Sequence, residues 1–261
     1  MQNPFPYSDT NKRYHTFDYF LRHRFGGKVA KVSLDAGFTC PNIDGSKGVG
    51  GCTYCSAKGS GDFAGDKNLP LRDQFEQVRQ VMDRKWPGTR YIPYLEVELG
   101  LQTIHDATGE RINRCHSYAD FLTGYHKLQK RGVNVCVHII DGLPGETHEM
   151  MLQTAQALSQ LQLHSIKIHL LHLLKGTRMA EEYARGEFAL LSREEYVQIV
   201  CDQLELLPPE LVVQRLTGDG ERESLIGPMW SLKKLVVMNE IDKELARRDS
   251  WQGKRFSPAH V

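Results

Sequence analysis

Apolar and polar positions along this chain follow two periods that take turns. Lys28-Val-Ala-Lys-Val-Ser-Leu34 reads as a strand and leads into a glycine-rich loop that carries cysteines. From about Leu71 to Trp86 the period becomes helical, with Phe75, Val78, Val81 and Met82 on one side. An extended apolar stretch follows around Leu95–Leu101, then a predicted helix from Ser117 to Lys130. Ser117 with Asp120 gives that helix a capping signal, and Gly132 closes it. Val133–Ile140 is rich in β-branched residues and reads as a buried strand that ends at Asp141-Gly-Leu-Pro-Gly145. A helix from about Glu146 to Leu161 and a strand over Ser165–Leu171 come next. Ser192-Arg-Glu-Glu195 opens a further helix with a capping box, and Tyr196, Val200, Leu204 and Leu207 continue its apolar stripe.

Strand and helix alternating at this rhythm imply an α/β fold with a parallel sheet and helices outside it. Such folds place their chemistry at the C-terminal ends of the strands. The cysteine loop, Asp141–Gly145 and His169–Lys175 all fall at those ends, which gathers them around one pocket.

Composition narrows the classes. Of 261 residues, 40% are hydrophobic and 25% charged, enough for one large domain with a sizeable core. A net charge of +1 offers no global basic field for gripping nucleic acid. The cluster of Lys12, Arg13, Arg22, Arg24, Lys28 and Lys31 reads as a solvated face. The opening residues lack the apolar core of a signal peptide, and no apolar run is long enough to span a bilayer, so the expectation is a cytoplasmic protein without a membrane partner. Six cysteines in that setting argue for metal or redox chemistry rather than disulfides.

Cys40, Cys52 and Cys55 share one loop, the last two separated by two residues. Thiolates are the soft ligands that iron–sulfur clusters and zinc prefer. Structural zinc wants a fourth protein ligand, and no second close pair supplies one. A [4Fe–4S] cubane on three cysteines leaves one iron open, which S-adenosylmethionine can chelate through its amino and carboxylate groups. Zinc or inert thiols are the alternatives. Cys115, Cys136 and Cys201 are isolated and read as small packed hydrophobes.

At these residues the chain resembles the radical-SAM superfamily, and more narrowly the radical-SAM domain of the elongator catalytic subunit, as a stand-alone bacterial family. The long gap before the close cysteine pair and Ser60-Gly-Asp-Phe63 are similar to that branch. So are Glu98-Leu-Gly-Leu-Gln-Thr103, Ile112-Asn-Arg-Cys-His116, His138–Gly145 and Ile166–Thr177, in that order. The resemblance implies a partial (β/α)6 barrel over residues 28–190, after an N-terminal extension (1–27) and before a C-terminal helical extension (191–261). Two departures stand out. Cys115 replaces the family's glycine, and Arg90-Tyr-Ile-Pro-Tyr94, which resembles the second barrel strand, runs straight into the fourth. At ~30 residues per βαβ unit, roughly fifty residues carrying two βα units are absent near 92–96. Either this is a deletion or residues are missing there from the sequence as it stands. The second is favoured, because a barrel that loses two central strands leaves its sheet unpaired. The absent stretch would include family residues that bind the methionine amino group.

The resemblance implies that Tyr54 lies by the adenine of bound S-adenosylmethionine. Glu98 and Gln102 face the barrel interior, where ribose hydroxyls or the amino group can partner them; a buried polar network is the alternative. Arg114 offers a bidentate contact to the cofactor carboxylate, against the alternative of an ion pair. Gly142, Pro144 and Gly145 leave backbone bare where adenine can stack, or form a plain strand-to-helix turn. Lys175 suits a carboxylate or phosphate contact. The implied activity is reductive cleavage of S-adenosylmethionine, with an external donor such as flavodoxin or ferredoxin, and with tRNA as partner through the C5 substituent of a wobble uridine. The rivals are a radical-SAM enzyme on a small metabolite or peptide, and a zinc-stabilised nucleic-acid-binding module without catalysis.

Overall fold

The β-branched run expected over 133–140 forms the middle of a parallel sheet. The computed structural model describes residues 3–35, 37, 40–55, 66–94, 97–218, 220 and 222–258. The first half of the chain gives α1 (Phe17–Phe25), β1 (Val29–Ser33), α2 (Leu71–Lys85), β2 (Arg90–Tyr94), β3 (Val97–Gln102), α3 (Asp106–Arg111), α4 (Tyr118–Gln129) and β4 (Val135–Asp141). The second half gives α5 (His148–Ser159), β5 (Ser165–Leu170), β6 (Leu173–Leu174), α6 (Arg178–Ala184), α7 (Arg193–Leu206), β7 (Val212–Arg215), β8 (Leu225–Gly227) and α8 (Lys234–Arg247).

The strands β3, β4, β5 and β7 lie in that order, all parallel, as right-handed crossovers through outer helices require. Both expected capping boxes form: Ser117 with Asp120 starts α4, and Ser192 with Glu195 starts α7. Val137, Ile139, Ile166 and Ile168 project from one face of the sheet into a core completed by Leu158, Val200, Leu204 and Ile241. Each such residue contributes about 1.5–3 kcal/mol by leaving water. The other face is the barrel interior. The alternation along β3, β4 and β5 turns Glu98, His138, Lys167 and His169 toward it.

The remaining strands are set apart. A second parallel sheet contains only β1 and β2, from Val29↔Arg90 to Ser33↔Tyr94. Only Leu95 and Glu96, which lie outside the described residues, separate β2 from β3 in sequence. Among the described residues the two sheets share no ladder, so the pairing of a full barrel is interrupted where two βα units were found wanting.

The terminal stretches are part of the packed body. Tyr14 is in the main core, Thr16 bridges to Val213, and buried Gln252 accepts from His15 N while donating to the Pro208 and Leu211 carbonyls. Within the expected helical extension, α7 and α8 do pack together, but β7 joins the sheet beside β5. Pro208-Pro209 stops α7, and the β-branched pair Val212-Val213 then suits a strand.

Candidate functional site

The loop after β1 returns on itself and is pinned to the other strand ends by hydrogen bonds. Buried Asn42 donates to the Arg114 carbonyl at 2.6 Å and to Cys52 Sγ at 3.4 Å. Asn113 donates in turn to the Gly51 carbonyl at 2.7 Å. Thr53 N donates to Ile112 O at 3.0 Å, and Met179 N donates to Thr53 O at 3.1 Å. Cys52 and Cys55 are therefore fixed between the end of α3 and the start of α6. Gly48 passes so close to Cys115 that a Cβ on it would fall 2.5 Å from Cys115 Sγ.

These contacts decide the thiol chemistry. A hydrogen bond from Cys55 pulls Cys52 down to about 6 against the effect of burial, with further help from Asn42, the Tyr54 hydroxyl and the Arg114 charge. Cys55 is pushed up by that same hydrogen bond, by burial and by the charges of Cys52 and Cys40. Within the pair ionisation is thus favoured at Cys52 and disfavoured at Cys55, with exposed Cys40 close enough to add its charge. Among the described residues no three His, Cys, Asp or Glu side chains have the spacing for one metal ion. A cubane asks for something different, with its cysteines at separate corners. Three cysteines, one disposed to ionise, form a donor set that fits such a cluster.

Tyr54 packs on an apolar cluster of Ile112, Leu143, Leu171, Leu173 and Met179. Burial and the neighbouring thiols push its phenol well up. Leu143 of the same cluster belongs to the turn that follows β4. There Gly142 and Gly145 take φ of 85° and 89°, which only glycine adopts without strain. Pro144 is buried between them. Tyr54 and Leu143 of the glycine turn thus share one apolar cluster, and the turn geometry by itself accounts for both glycines. Ser60–Phe63 lie outside the described residues.

Gln102 ends β3 at φ 62°, beside a register shift, and its Oε1 is buried with no protein partner. Such an atom costs roughly 1–3 kcal/mol unless something donates to it. Four non-glycine residues have left-handed φ among those described, and Gln102, Asn113 and Cys115 are three of them. Strain of this kind gathers at functional sites. Cys115 stands where the resemblance expects glycine, and its backbone holds a glycine-like φ of 63° all the same.

Three expectations need correcting. Arg114, 1% exposed, does not offer its guanidinium to a cofactor carboxylate. It donates to the carbonyls of Leu101, Thr103 and His116 and to Asp106 Oδ1, so it positions the end of β3. Glu98 forms the buried-network alternative. His138 Nε2 lies 2.6 Å from one of its oxygens and Lys167 binds the other, and together they outweigh burial and hold the carboxyl well below its usual range. Lys175 is exposed beside the β6–β8 ribbon and donates to the Glu223 carbonyl at 2.8 Å rather than to any group of the cysteine loop. Asn42 escaped the sequence reading. Its place two residues after Cys40 was the only signal, and many loop asparagines share it.

The comparisons bear on this geometry. The radical SAM superfamily profile matches residues 90–158, and a radical SAM C-terminal domain profile matches 163–247. The Bacillus subtilis protein YtqA, described as uncharacterized, is 45% identical over 309 residues, covering 97% of this chain and 96% of its own. Since 97% of 261 residues is about 253, about 56 aligned positions are filled only in YtqA, close to the size of two βα units. A tRNA uridine(34) acetyltransferase of Methanocaldococcus jannaschii is 28% identical over 126 residues, 47% of this chain and 23% of that one. The structure of Methanocaldococcus infernus Elp3 with an N-terminal deletion matches with a TM-score of 0.53 and 21% identity. It covers 69% of this chain, which spans only 41% of that one. That likeness fixes the barrel-type fold alone. No described helix is long and apolar enough to cross a membrane. With YtqA matched along almost its whole length, this chain belongs to the radical SAM superfamily.

Proposed function

We propose that this protein is a radical-SAM enzyme that modifies the C5 substituent of a tRNA wobble uridine. The observation that carries the proposal is the pinned loop, in which hydrogen bonds from Cys55 and Asn42 lower the pKa of Cys52 beside exposed Cys40. Cys40, Cys52 and Cys55 would hold a [4Fe–4S] cluster. When bound, it supplies the electron that cleaves S-adenosylmethionine to methionine and a 5′-deoxyadenosyl radical. Asn42 and Asn113 hold the loop, Tyr54 and Leu143 of the Gly142–Gly145 turn would offer the adenine an apolar surface, and Gln102 Oε1, buried without a protein partner, would accept a hydrogen bond from the cofactor. The relative named as a tRNA uridine(34) acetyltransferase supports the substrate class, and flavodoxin or ferredoxin would supply electrons.

Anaerobic reconstitution should load about four irons per chain. Cys52→Ala should abolish this and Cys136→Ala should not. Reduced, loaded protein should release 5′-deoxyadenosine slowly, and faster with tRNA from cells lacking the gene, since placing the reacting atom removes an entropic barrier. Full iron retention in Cys52→Ala, or no 5′-deoxyadenosine under any of these conditions, would sink the proposal. Acceleration by a small metabolite or peptide but not by tRNA would overturn the substrate alone.

A further inference from the structure

Asn42 stands in a tight turn of the cysteine loop and is braced by its neighbours. The Cys40 carbonyl accepts from Ile43 N at 2.8 Å and from Asp44 N at 2.9 Å, and the Asn42 carbonyl accepts from Gly51 N at 2.9 Å. The residue is buried, and its amide nitrogen faces three acceptors: Arg114 O at 2.6 Å, Asn113 O at 3.4 Å and Cys52 Sγ at 3.4 Å. Asn113 and Cys115 hold left-handed backbone, φ 54° and 63°, on either side of Arg114. That stretch presents two successive carbonyls to one side-chain amide. The short bond to Arg114 O uses one of the two amide protons, which leaves the other for Cys52 Sγ and the longer contact to Asn113 O.

The carbonyls alone would suffice to hold the loop, and the sulfur contact adds a different effect. An N–H that donates to a ligating sulfur withdraws electron density from it and favours an added electron on the metal; such bonds help to set cluster potentials. The same bond helps to lower the pKa of Cys52. We propose that Asn42 is a positioning residue that acts through Cys52 to raise the reduction potential of a cluster held by the three cysteines. The assignment rests on the reading that Cys40, Cys52 and Cys55 hold a [4Fe–4S] cluster. Asn113 is the internal comparison. It braces the same loop, but its amide donates to the Gly51 carbonyl at 2.7 Å and the Val49 carbonyl at 3.5 Å rather than to a loop sulfur.

The test is an anaerobic redox titration of cluster-loaded protein, read by the EPR signal of the reduced cluster. Asn42→Ala should leave the cluster about three- to tenfold less reduced at a fixed potential, a lowering of ~30–60 mV for a one-electron couple. Asn42→Asp keeps the shape, cannot donate as a carboxylate, and should lower the potential at least as far. Asn113→Gly keeps the left-handed backbone, loses only the brace, and should leave the potential unchanged. An unchanged potential in Asn42→Ala overturns the proposal. So does an equal lowering in Asn113→Gly, because a loosened loop would then explain the shift. A second measurement needs no variant at Asn42. With asparagine isotopically labelled at its side-chain nitrogen, pulsed EPR of the reduced cluster should show a nitrogen coupling that persists in Asn113→Gly, and its absence overturns the assignment. A parent protein that loads no cluster would fail the radical-SAM reading and this assignment with it. The expected shift without any release of 5′-deoxyadenosine would count against the radical chemistry alone.

Discussion

Around β4 and β5 the apolar residues of the outer face are buried against α5, α7 and α8. On the other side of the interruption, α2 carries as regular an apolar stripe, yet Val81 is 68% exposed and Leu71 and Trp86 also reach the surface. Among the residues of α2 only Gln74 is buried, held by donating to the Asp35 and Leu69 carbonyls and accepting from Asp35 N. The two regions follow the same periodic rule. They differ in neighbours, since β4 has a strand on each side and β2 pairs with β1 alone. An amphipathic helix declares a face to bury, but burial depends on a second surface being there.

The junction between these regions is the first place to break the comparison. Arg114 ties the end of β3 to α3, and its own carbonyl holds Asn42 of the loop that follows β1. Removing it leaves buried carbonyls without donors. Arg114→Ala should cost about 3–5 kcal/mol in urea unfolding, the range for breaking a buried charged network. A loss below about 1 kcal/mol would mean the two regions are not joined there.

Packing itself gives the next contrast. Leu204, fully buried on α7, should lose about 2–5 kcal/mol on truncation to alanine. Val81→Ala on α2 should change stability by less than about 0.5 kcal/mol. Equal losses would show that the stripe on α2 is covered in solution.

A last contrast is read against pH. Burial pushes the Asp141 carboxyl up to about 8, with Gln203 opposing at 2.7 Å and Glu146 adding to it. Between the ordinary carboxyl range and that value, the folded state keeps a proton that the unfolded chain has released. Stability should therefore fall as pH rises through this window, by up to about 1.4 kcal/mol per unit, and level off above it. Asp141→Asn should flatten the slope. Identical slopes in the two proteins would show the folded carboxyl ionised.

Between Ser117 and Leu207, α4, β4 and α7 were legible because each rests on a nearby signal: Ser117 and Ser192 with their carboxylate partners three residues on, or the β-branched run before Gly142, whereas β6 and α6 were not read. The three cysteines were legible because their spacing and chemistry lie in one loop. The roles of Arg114, Glu98 and Lys175 were not. Each had a plausible ligand by residue type, and the outcome turned on which carbonyl or cation the fold brought within reach. Nor was β7 legible. Four residues without alternation are a strand only because β5 offers an edge.

The sequence by itself determined the alternation of strands and helices, the caps, and the placing of thiols and glycine turn at strand ends. Those follow from the covalent chain and its near neighbours, where periodicity and side-chain chemistry act directly. Only the tertiary structure decided that Asn42 donates to Cys52, that Val81 of the α2 stripe stays exposed while Phe75, Val78 and Met82 are half-buried, and that His138 and Lys167 share Glu98. Such facts depend on sheet order and register between distant strands, and one residue of slip would turn each of those side chains to the opposite face.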